Sequence, residues 1–223
     1  LALEQPCQWH IVLNGHAVNT DLQTGWWVDR SCRKIPVPAA LLREGENILE
    51  MRCDYRADGP DLEHVYLLGE FGVRLMRHRP VMTGLPARLR PGNWVMQGLP
   101  FYAGSVIYRR HVKAPERGKG QRLVLGIPSF QGTAVRVWTG AREAGARAWE
   151  PYAVDVTDGT ENGRLDLGIE VIAHRRNAFG PLQRKQRHIA WHGPHAFLEG
   201  HGRSPRYYPV PCGLTAPPAL DTM

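Results

Sequence analysis

Leu165-Asp166-Leu167-Gly168-Ile169-Glu170-Val171 alternates apolar and polar residues without a break, which is the two-residue period of a half-buried strand. The same period recurs along the chain. Leu49, Met51 and Cys53 alternate with Glu50 and Arg52, and Tyr152, Val154 and Val156 alternate with Ala153, Asp155 and Thr157. Val65, Leu67, Phe71, Val73 and Leu75 share one face, with Glu70 and Arg74 on the other. Further strands are predicted over Trp9–Leu13, Arg33–Val37, Val106–Val112, Arg122–Ile127 and Val135–Trp138. Turn residues separate them: Asn14-Gly15, Glu44-Gly45, Asp58-Gly59-Pro60, Pro91-Gly92-Asn93 and Asn162-Gly163. Only Pro38–Arg43 looks helical, as one or two turns ended by Gly45. The predicted fold is all-β, built from antiparallel β-sandwiches.

Composition agrees with that reading. Gly (24) and Pro (18) make up nearly a fifth of the 223 residues, favouring many turns over long helices. With 43% hydrophobic and 22% charged residues, a disordered or fibrous chain is excluded. No apolar run approaches the ~20 residues of a membrane-spanning helix, so no membrane partner is expected. The net charge of +7 raises the question of nucleic acid. The basic residues are scattered, however, the densest groups being Arg109-Arg110, Arg117 to Arg122 and Arg175 to Arg187. No helix-turn-helix, zinc-finger or RNA-binding motif organises them, so no nucleic-acid partner is expected. Cys7, Cys32, Cys53 and Cys212 form no C-x-x-C and no disulfide framework. Cys53, on the apolar phase of its strand, reads as a buried thiol.

A weak internal repeat runs through the chain. HIVLNG (10–15) followed by IPVPAALLREGENILEMRC (35–53) matches VRVWTG (135–140) followed by YAVDVTDGTENGRLDLGIEV (152–171). Gly15 pairs with Gly140 and Gly45 with Gly163, and the gaps hold Trp26-Trp27 and Trp149 with Tyr152. The Pro- and Arg-rich stretch His78–Pro91 is the natural boundary. This predicts two tandem sandwiches: residues 1–78, a linker at 79–93, residues 94–176, and an irregular tail at 177–223 packing back on the sandwiches. The start at Leu1, inside strand-like sequence, reads as a chain cut from a larger protein.

Catalytic chemistry is scarce. No G-x-S-x-G elbow, P-loop or dinucleotide fingerprint occurs, and no cofactor is expected. His188, His192 and His195 have H-x3-H-x2-H spacing, with His201 beyond. No carboxylate or thiolate accompanies them in this Gly- and Pro-containing stretch, so no metal site is assigned. Glycoside hydrolysis needs two carboxyl groups about 5–10 Å apart. Asp29, Asp61, Glu63, Glu70, Asp155 and Glu170 are available, but nothing in the sequence brings two together. Glu70, Asp155 and Glu170 fall on polar strand faces, where a carboxylate is ordinarily solvated, and no catalytic residue is assigned. Aromatic rings, by contrast, can stack on the C–H face of a sugar while neighbouring polar groups bind its hydroxyls. Trp26, Trp27 and Asp29 lie in one loop-like gap, and Trp149 and Tyr152 in another. Trp94, Phe101 and Tyr102 flank the Gly98-Leu99-Pro100 turn. Trp26, Trp27, Asp29, Trp94, Tyr102, Trp149 and Tyr152 are therefore the candidate carbohydrate-binding residues. The competing reading is that such rings plug sandwich ends or pack between domains.

PFYAGSVIYRRHV (100–112) and the stretch from VRVWTG to LGIEV together resemble the galactose-binding-like (jelly-roll) sugar-binding domain of glycoside hydrolase family 2 and related bacterial enzymes. Pro151, Tyr152, Asp155 and Thr157 match its P-Y-x-x-D-x-T element, and Gly163 and Leu165 its last strand. Arg164 stands where Asn is usual, and Thr139-Gly140 replaces the usual Asn-Gly. The first half resembles a second copy and keeps Asn14-Gly15 and Gly45 to Asn47. RRNAFGP (175–181) and PCGLTAPPAL (211–220) look like the C-terminal end of large bacterial hydrolases of this kind. The resemblance implies two galactose-binding-like jelly rolls in the non-catalytic accessory region of a bacterial glycoside hydrolase. It implies a carbohydrate partner and a catalytic barrel N-terminal to this chain. The compartment stays open between bacterial cytoplasm and secretion. Two alternatives remain: a free-standing carbohydrate-binding module and a basic polyanion or nucleic-acid binder.

Overall fold

The computed structural model describes residues 1–56, 64–76, 79–185 and 203–223. Regular structure there is almost entirely strand, every ladder is antiparallel, and the fold is all-β. The chain divides into two compact units, residues 1–70 and 71–223.

The first unit runs β1 (Ala2–Glu4), β2 (His10–Leu13), β3 (His16–Val18), β4 (Trp26–Trp27), β5 (Asp29–Lys34) and β6 (Leu49–Arg52). They form two three-stranded sheets, ordered β1-β5-β4 and β3-β2-β6. Alternation in β2 sends Ile11 and Leu13 inward, where they meet Leu1, Leu3, Val18 and Ile35 in a small core. The predicted strand over Arg33–Val37 lies earlier, because Pro36 and Pro38 have no N–H to donate to a ladder. Pro38–Arg43 shortens to a single 3-10 turn over Ala39–Leu41.

Asn14 and Gly15 both take positive φ (51° and 85°), the type I′ geometry that joins β2 to β3. The Asn14 side chain then reaches across the sheet. Its Oδ1 accepts from the Ile48 amide (2.9 Å), and its Nδ2 donates to Leu41 O (2.7 Å) and Asn47 Oδ1 (2.8 Å). Asn47 closes on the Arg43 amide and carbonyl, each at 2.8 Å. The Asn-Gly and Gly-Glu-Asn motifs are thus two halves of one lock.

The second unit begins where the predicted run from Val65 to Leu75 breaks. Tyr66 makes an isolated bridge to Ala2, and the strand starts only at Phe71. The strands are β7 (Phe71–Met76), β8 (Arg79–Gly84), β9 (Ser105–Lys113), β10 (Leu123–Gly126), β11 (Phe130–Gln131), β12 (Ala134–Thr139) and β13 (Arg142–Arg147). They continue as β14 (Ala153–Asp155), β15 (Thr160–Glu161), β16 (Arg164–Ile172), β17 (Gly213–Leu214) and β18 (Ala219–Thr222). The stretch read as a linker holds β8, which forms a hairpin with β7. A five-stranded sheet is ordered β13-β12-β16-β15, with β9 also paired to β16, and it faces a three-stranded sheet ordered β14-β10-β18. Leu165, Leu167, Ile169 and Val171 of β16 share one core with Val135 and Val137 of β12 and with Leu123, Leu125 and Val154 of the smaller sheet. That is a sandwich, with one apolar face contributed by each sheet.

Helical structure is wider spread than predicted, though always short: 3-10 turns at Pro6–Gln8, Trp94–Gln97 and Thr157–Gly159, and one α-turn at Arg176–Phe179. The segment expected to be an irregular tail contains β17 and β18, the latter paired with β10. Asn177, 1% exposed, holds it by donating to Val210 O and accepting from Val210 N, both at 2.8 Å. Asn93 Oδ1 accepts from the Cys212 amide (3.1 Å), and the Gly92 amide donates to Leu214 O (2.6 Å). Cys32 and Cys212 are the buried thiols, while Cys53 is only half-buried. Burial raises the Cys212 thiol pKa to about 11, although backbone amides at His174 and Gly213 act against it.

Gly213 has φ 138°, and a Cβ there would collide with the Gly92 carbonyl. Gly213→Ala is expected to destabilise the second unit by at least about 2 kcal/mol, read as a fall in urea midpoint. Asn47→Ala, which breaks the lock in the first unit, is expected to cost about 1 kcal/mol. An unchanged midpoint in either variant would contradict these roles.

Candidate functional site

In the first unit a one-residue turn joins β4 to β5, and Val28 occupies it with φ 67°. A β-branched residue in the left-handed region is strained, and strain of this kind collects at functional positions. The turn presents Trp26 half exposed, whereas Trp27 is half-buried against Tyr66, with ring centroids 4.9 Å apart. Asp29 does not simply face solvent. Its Oδ1 accepts from the Ser31 amide (2.8 Å) and lies 2.9 Å from Ser31 Oγ, which also donates to Glu4 Oε1 at 2.8 Å. Burial, then the Glu4 and Asp29 charges, raise the pKa of neighbouring Cys32. Trp26, Trp27 and Asp29 are therefore brought together on one hairpin, with Trp26 the exposed ring.

The second-unit candidates separate by burial. Trp149, 82% exposed, stands out from the loop after β13. Tyr152 is half-buried and packs edge-on against Phe130 at 4.8 Å, supporting the core. Trp94 is fully buried, which removes it from the candidate surface. The cause is local: Asn93 caps the 3-10 turn by accepting from the Val95 amide, Gly98 closes it with φ 96°, and the ring points into the sandwich. Tyr102 is 40% exposed, but its hydroxyl is engaged by Ser105 O (3.0 Å) and its ring edge meets Trp94.

Glu170 overturns its expected solvation. It lies on the outward face of β16 yet is only 8% exposed. Ser105 Oγ donates to it at 2.6 Å, Trp138 Nε1 at 3.0 Å and Arg136 Nη1 at 3.4 Å. Arg136 also pairs with Glu143 at 3.4 Å. Burial works to raise the Glu170 pKa, but these hydrogen bonds and the Arg136 charge outweigh it and hold the carboxyl below its ordinary value. In sequence only the Glu170 alternation was visible; its partners stand on β9 and β12. Asp155 and Glu70 are exposed as expected. The Thr157 hydroxyl and amide lower the Asp155 pKa, with Arg122 and Arg117 assisting against a small burial effect. Asp61, Glu63, His188, His192, His195 and His201 lie outside the described residues. Among the described residues no three His, Cys, Asp or Glu side chains gather as a metal site, and no helix is long and apolar enough to cross a membrane.

No family model matches the chain, and no curated protein matches it. Among the solved structures it resembles are three glycoside hydrolases. A Bifidobacterium dentium β-glucuronidase complexed with coumarin-3-O-glucuronide is 21% identical over 46% of this chain and 19% of that one, with TM-score 0.32. A rhamnosidase from Novosphingobium sp. PP1Y is 18% identical over 97% of this chain and 20% of that one, with TM-score 0.40. An FMN-binding β-glucuronidase from Facaelibacterium prausnitzii L2-6 is 16% identical over 68% and 21%, with TM-score 0.37. The chain spans about a fifth of the length of each.

The Glu170 network has a pH signature. A carboxyl whose folded pKa is depressed stabilises the fold above its unfolded pKa, and the benefit is lost as pH falls through the folded value. Glu170→Gln is expected to cost about 1–3 kcal/mol at pH 7. The gap to wild type should shrink below roughly pH 4, as measured by urea unfolding at both pH values. A gap independent of pH would show that the charge of Glu170 is not what the network uses.

Proposed function

We propose that this chain is a non-catalytic accessory region of a bacterial glycoside hydrolase active in polysaccharide or oligosaccharide breakdown, and that it contacts carbohydrate through exposed aromatic rings. The observation that carries the proposal is Trp149. An indole left 82% exposed on an otherwise well-packed sandwich contributes little to the fold and offers a full ring face to a ligand. Arg147 and Glu150 flank it in sequence, both exposed, and could meet hydroxyls at the rim of a stacked sugar. Trp26 forms a second platform on the strained hairpin, where Trp27 and Tyr66 stiffen its base. Trp149 and Trp26 are the stacking residues of this reading, while Tyr152, Trp27 and Asp29 hold their surroundings. Tyr102 contributes at most a ring edge, and Trp94 belongs to the core. A catalytic barrel ahead of this chain in the parent enzyme would perform hydrolysis, and these modules would brace it and hold substrate nearby.

Trp149→Ala should leave unfolding unchanged within about 0.5 kcal/mol, because the ring is exposed. It should weaken oligosaccharide binding roughly tenfold in calorimetry. Binding that survives both Trp149→Ala and Trp26→Ala would remove these rings from the function. Hydrolysis of aryl-glycosides by the chain alone, abolished by a single carboxylate substitution, would overturn the non-catalytic reading.

A further inference from the structure

Six asparagines occur in the chain, and the carboxamides of five are held by hydrogen bonds. Asn14 makes three, to Ile48 N, Leu41 O and Asn47. Asn47 accepts from Arg43 N and donates to Arg43 O, Asn93 accepts from Val95 N and Cys212 N, and Asn177 binds Val210 twice. Even the exposed Asn19 accepts from Asp21 N at 3.0 Å. Asn162 is the exception. It is exposed, and among the described residues nothing bonds its carboxamide. It is also followed by Gly163, which has no Cβ to shield the backbone nitrogen next to the side chain. Asn19, Asn47, Asn93 and Asn177 precede Thr20, Ile48, Trp94 and Ala178 instead.

Asn14-Gly15 is the matching pair, and it shares the same left-handed turn. Asn14 and Gly15 have φ 51° and 85°, and Asn162 and Gly163 have φ 49° and 70°. The two pairs therefore differ in what surrounds the side chain. For the glycine nitrogen to reach the asparagine Cγ, the turn must open. At Asn162 the opening frees only β15, whose two residues pair with Leu165 and Arg164. At Asn14 it must also break the three side-chain bonds that lock the turn to Leu41, Asn47 and Ile48.

We propose that Asn162 is a site of spontaneous deamidation and isomerisation in the folded protein, and that its hydrogen bonds protect Asn14 from the same reaction. Gly163 N, on losing its proton, attacks Asn162 Cγ. The N–Cγ bond forms, the Cγ–Nδ2 bond breaks, and ammonia leaves carrying that proton. Water then opens the five-membered imide. Cleavage at Cγ gives aspartate; cleavage at the main-chain carbonyl carbon gives isoaspartate, which routes the backbone through the side chain and lengthens it by one carbon. Either product takes one unit from the net charge of +7. The turn they remodel is tied to the end of β9, where the Ala114 amide donates to Gly163 O at 2.9 Å.

The test is to incubate the full chain, folded, for weeks in mildly alkaline buffer and to map it by trypsin and mass spectrometry. Asn162 falls in the tryptic peptide 148–164 and Asn14 in 1–30. Fragment spectra should place the amide-to-acid mass gain at Asn162, with isoaspartate detected there by enzymatic carboxyl methylation. Asn14 should convert at least about tenfold more slowly. Unfolding in urea removes the lock, and the two sites should then convert at rates within about twofold of each other. In buffer, Asn47→Ala should speed conversion of Asn14 at least about threefold and leave Asn162 unchanged. If that variant does not fold, the urea comparison on the unaltered chain decides alone. No mass gain at Asn162 in the folded chain would overturn the proposal, as would equal rates at the two sites before urea. An unchanged Asn14 rate in folded Asn47→Ala would do the same. So would a difference that persists in urea, because local sequence would then set the rates.

Discussion

The second unit depends on one strand being paired on both sides. β16 bonds to β9 along one edge for all nine of its residues, from Arg164 to Ile172, and along the other to β15 at Arg164 and Leu165 and to β12 from Leu167 to Ile172. Two-sided pairing fixes the strand's register on both edges, so its alternating side chains can be committed to two different environments. Inward, Leu165, Leu167, Ile169 and Val171 are nearly solvent-free and anchor the core. Outward, the same rigidity permits Glu170 to be buried as an anion, because Ser105 on β9 and the pair Arg136 and Trp138 on β12 are held at fixed register to receive it. On a frayed edge strand that carboxylate would take water instead. β6, a strand of the same pattern that among the described residues pairs with β2 alone, has its apolar row partly wet, and Cys53 with it.

Polar side chains that imitate backbone perform the second task, which is closing loops onto sheets. Asn177 offers Val210 one donor and one acceptor, as a neighbouring strand would, and so ties the returning C-terminal segment to the sandwich. Asn93 does two jobs at once, capping the turn that buries Trp94 and receiving the Cys212 amide. In the first unit Asn14 and Asn47 lock the β2–β3 turn to the start of β6. Amides suit these places because they carry both a donor and an acceptor without a charge to desolvate.

Much of the fold was legible from periodicity and turn chemistry. Alternation located β2, β6, β12, β14 and β16, and the Asn-Gly pairs marked the β2–β3 and β15–β16 turns. The internal repeat was legible as well, but one residue out in its first half. Sequence pairs Gly15 with Gly140, whereas the turns that correspond are Asn14-Gly15 and Gly140-Ala141. The burial phase of Ile11 and Leu13 against Val137 and Thr139 sets that register, and a glycine match carries no phase. Long-range pairing was not legible. β17 and β18 look like Pro-rich tail because their partners lie some ninety residues away, at Phe130–Gln131 and Leu123–Gly126. Glu170 looks like any surface carboxylate until Ser105, 65 positions earlier, is seen beside it.

The aromatic residues show why a candidate surface cannot be read from composition. Trp26 follows Gly25, Trp94 follows Pro91-Gly92-Asn93 and Trp149 precedes Pro151, yet one is half exposed, one fully buried and one almost free. What separates them is backbone geometry a few residues away. A capped 3-10 turn rotates Trp94 inward, and a strained Val28 turn holds Trp26 at the end of a hairpin. Trp149 has neither device; Tyr152 takes the place against Phe130, and the loop leaves the larger ring in water. A fold that needed another plug at that end would have used the indole, which buries more area than the phenol. The tyrosine is therefore the ring committed to stability, and the larger face of the tryptophan is left to solvent.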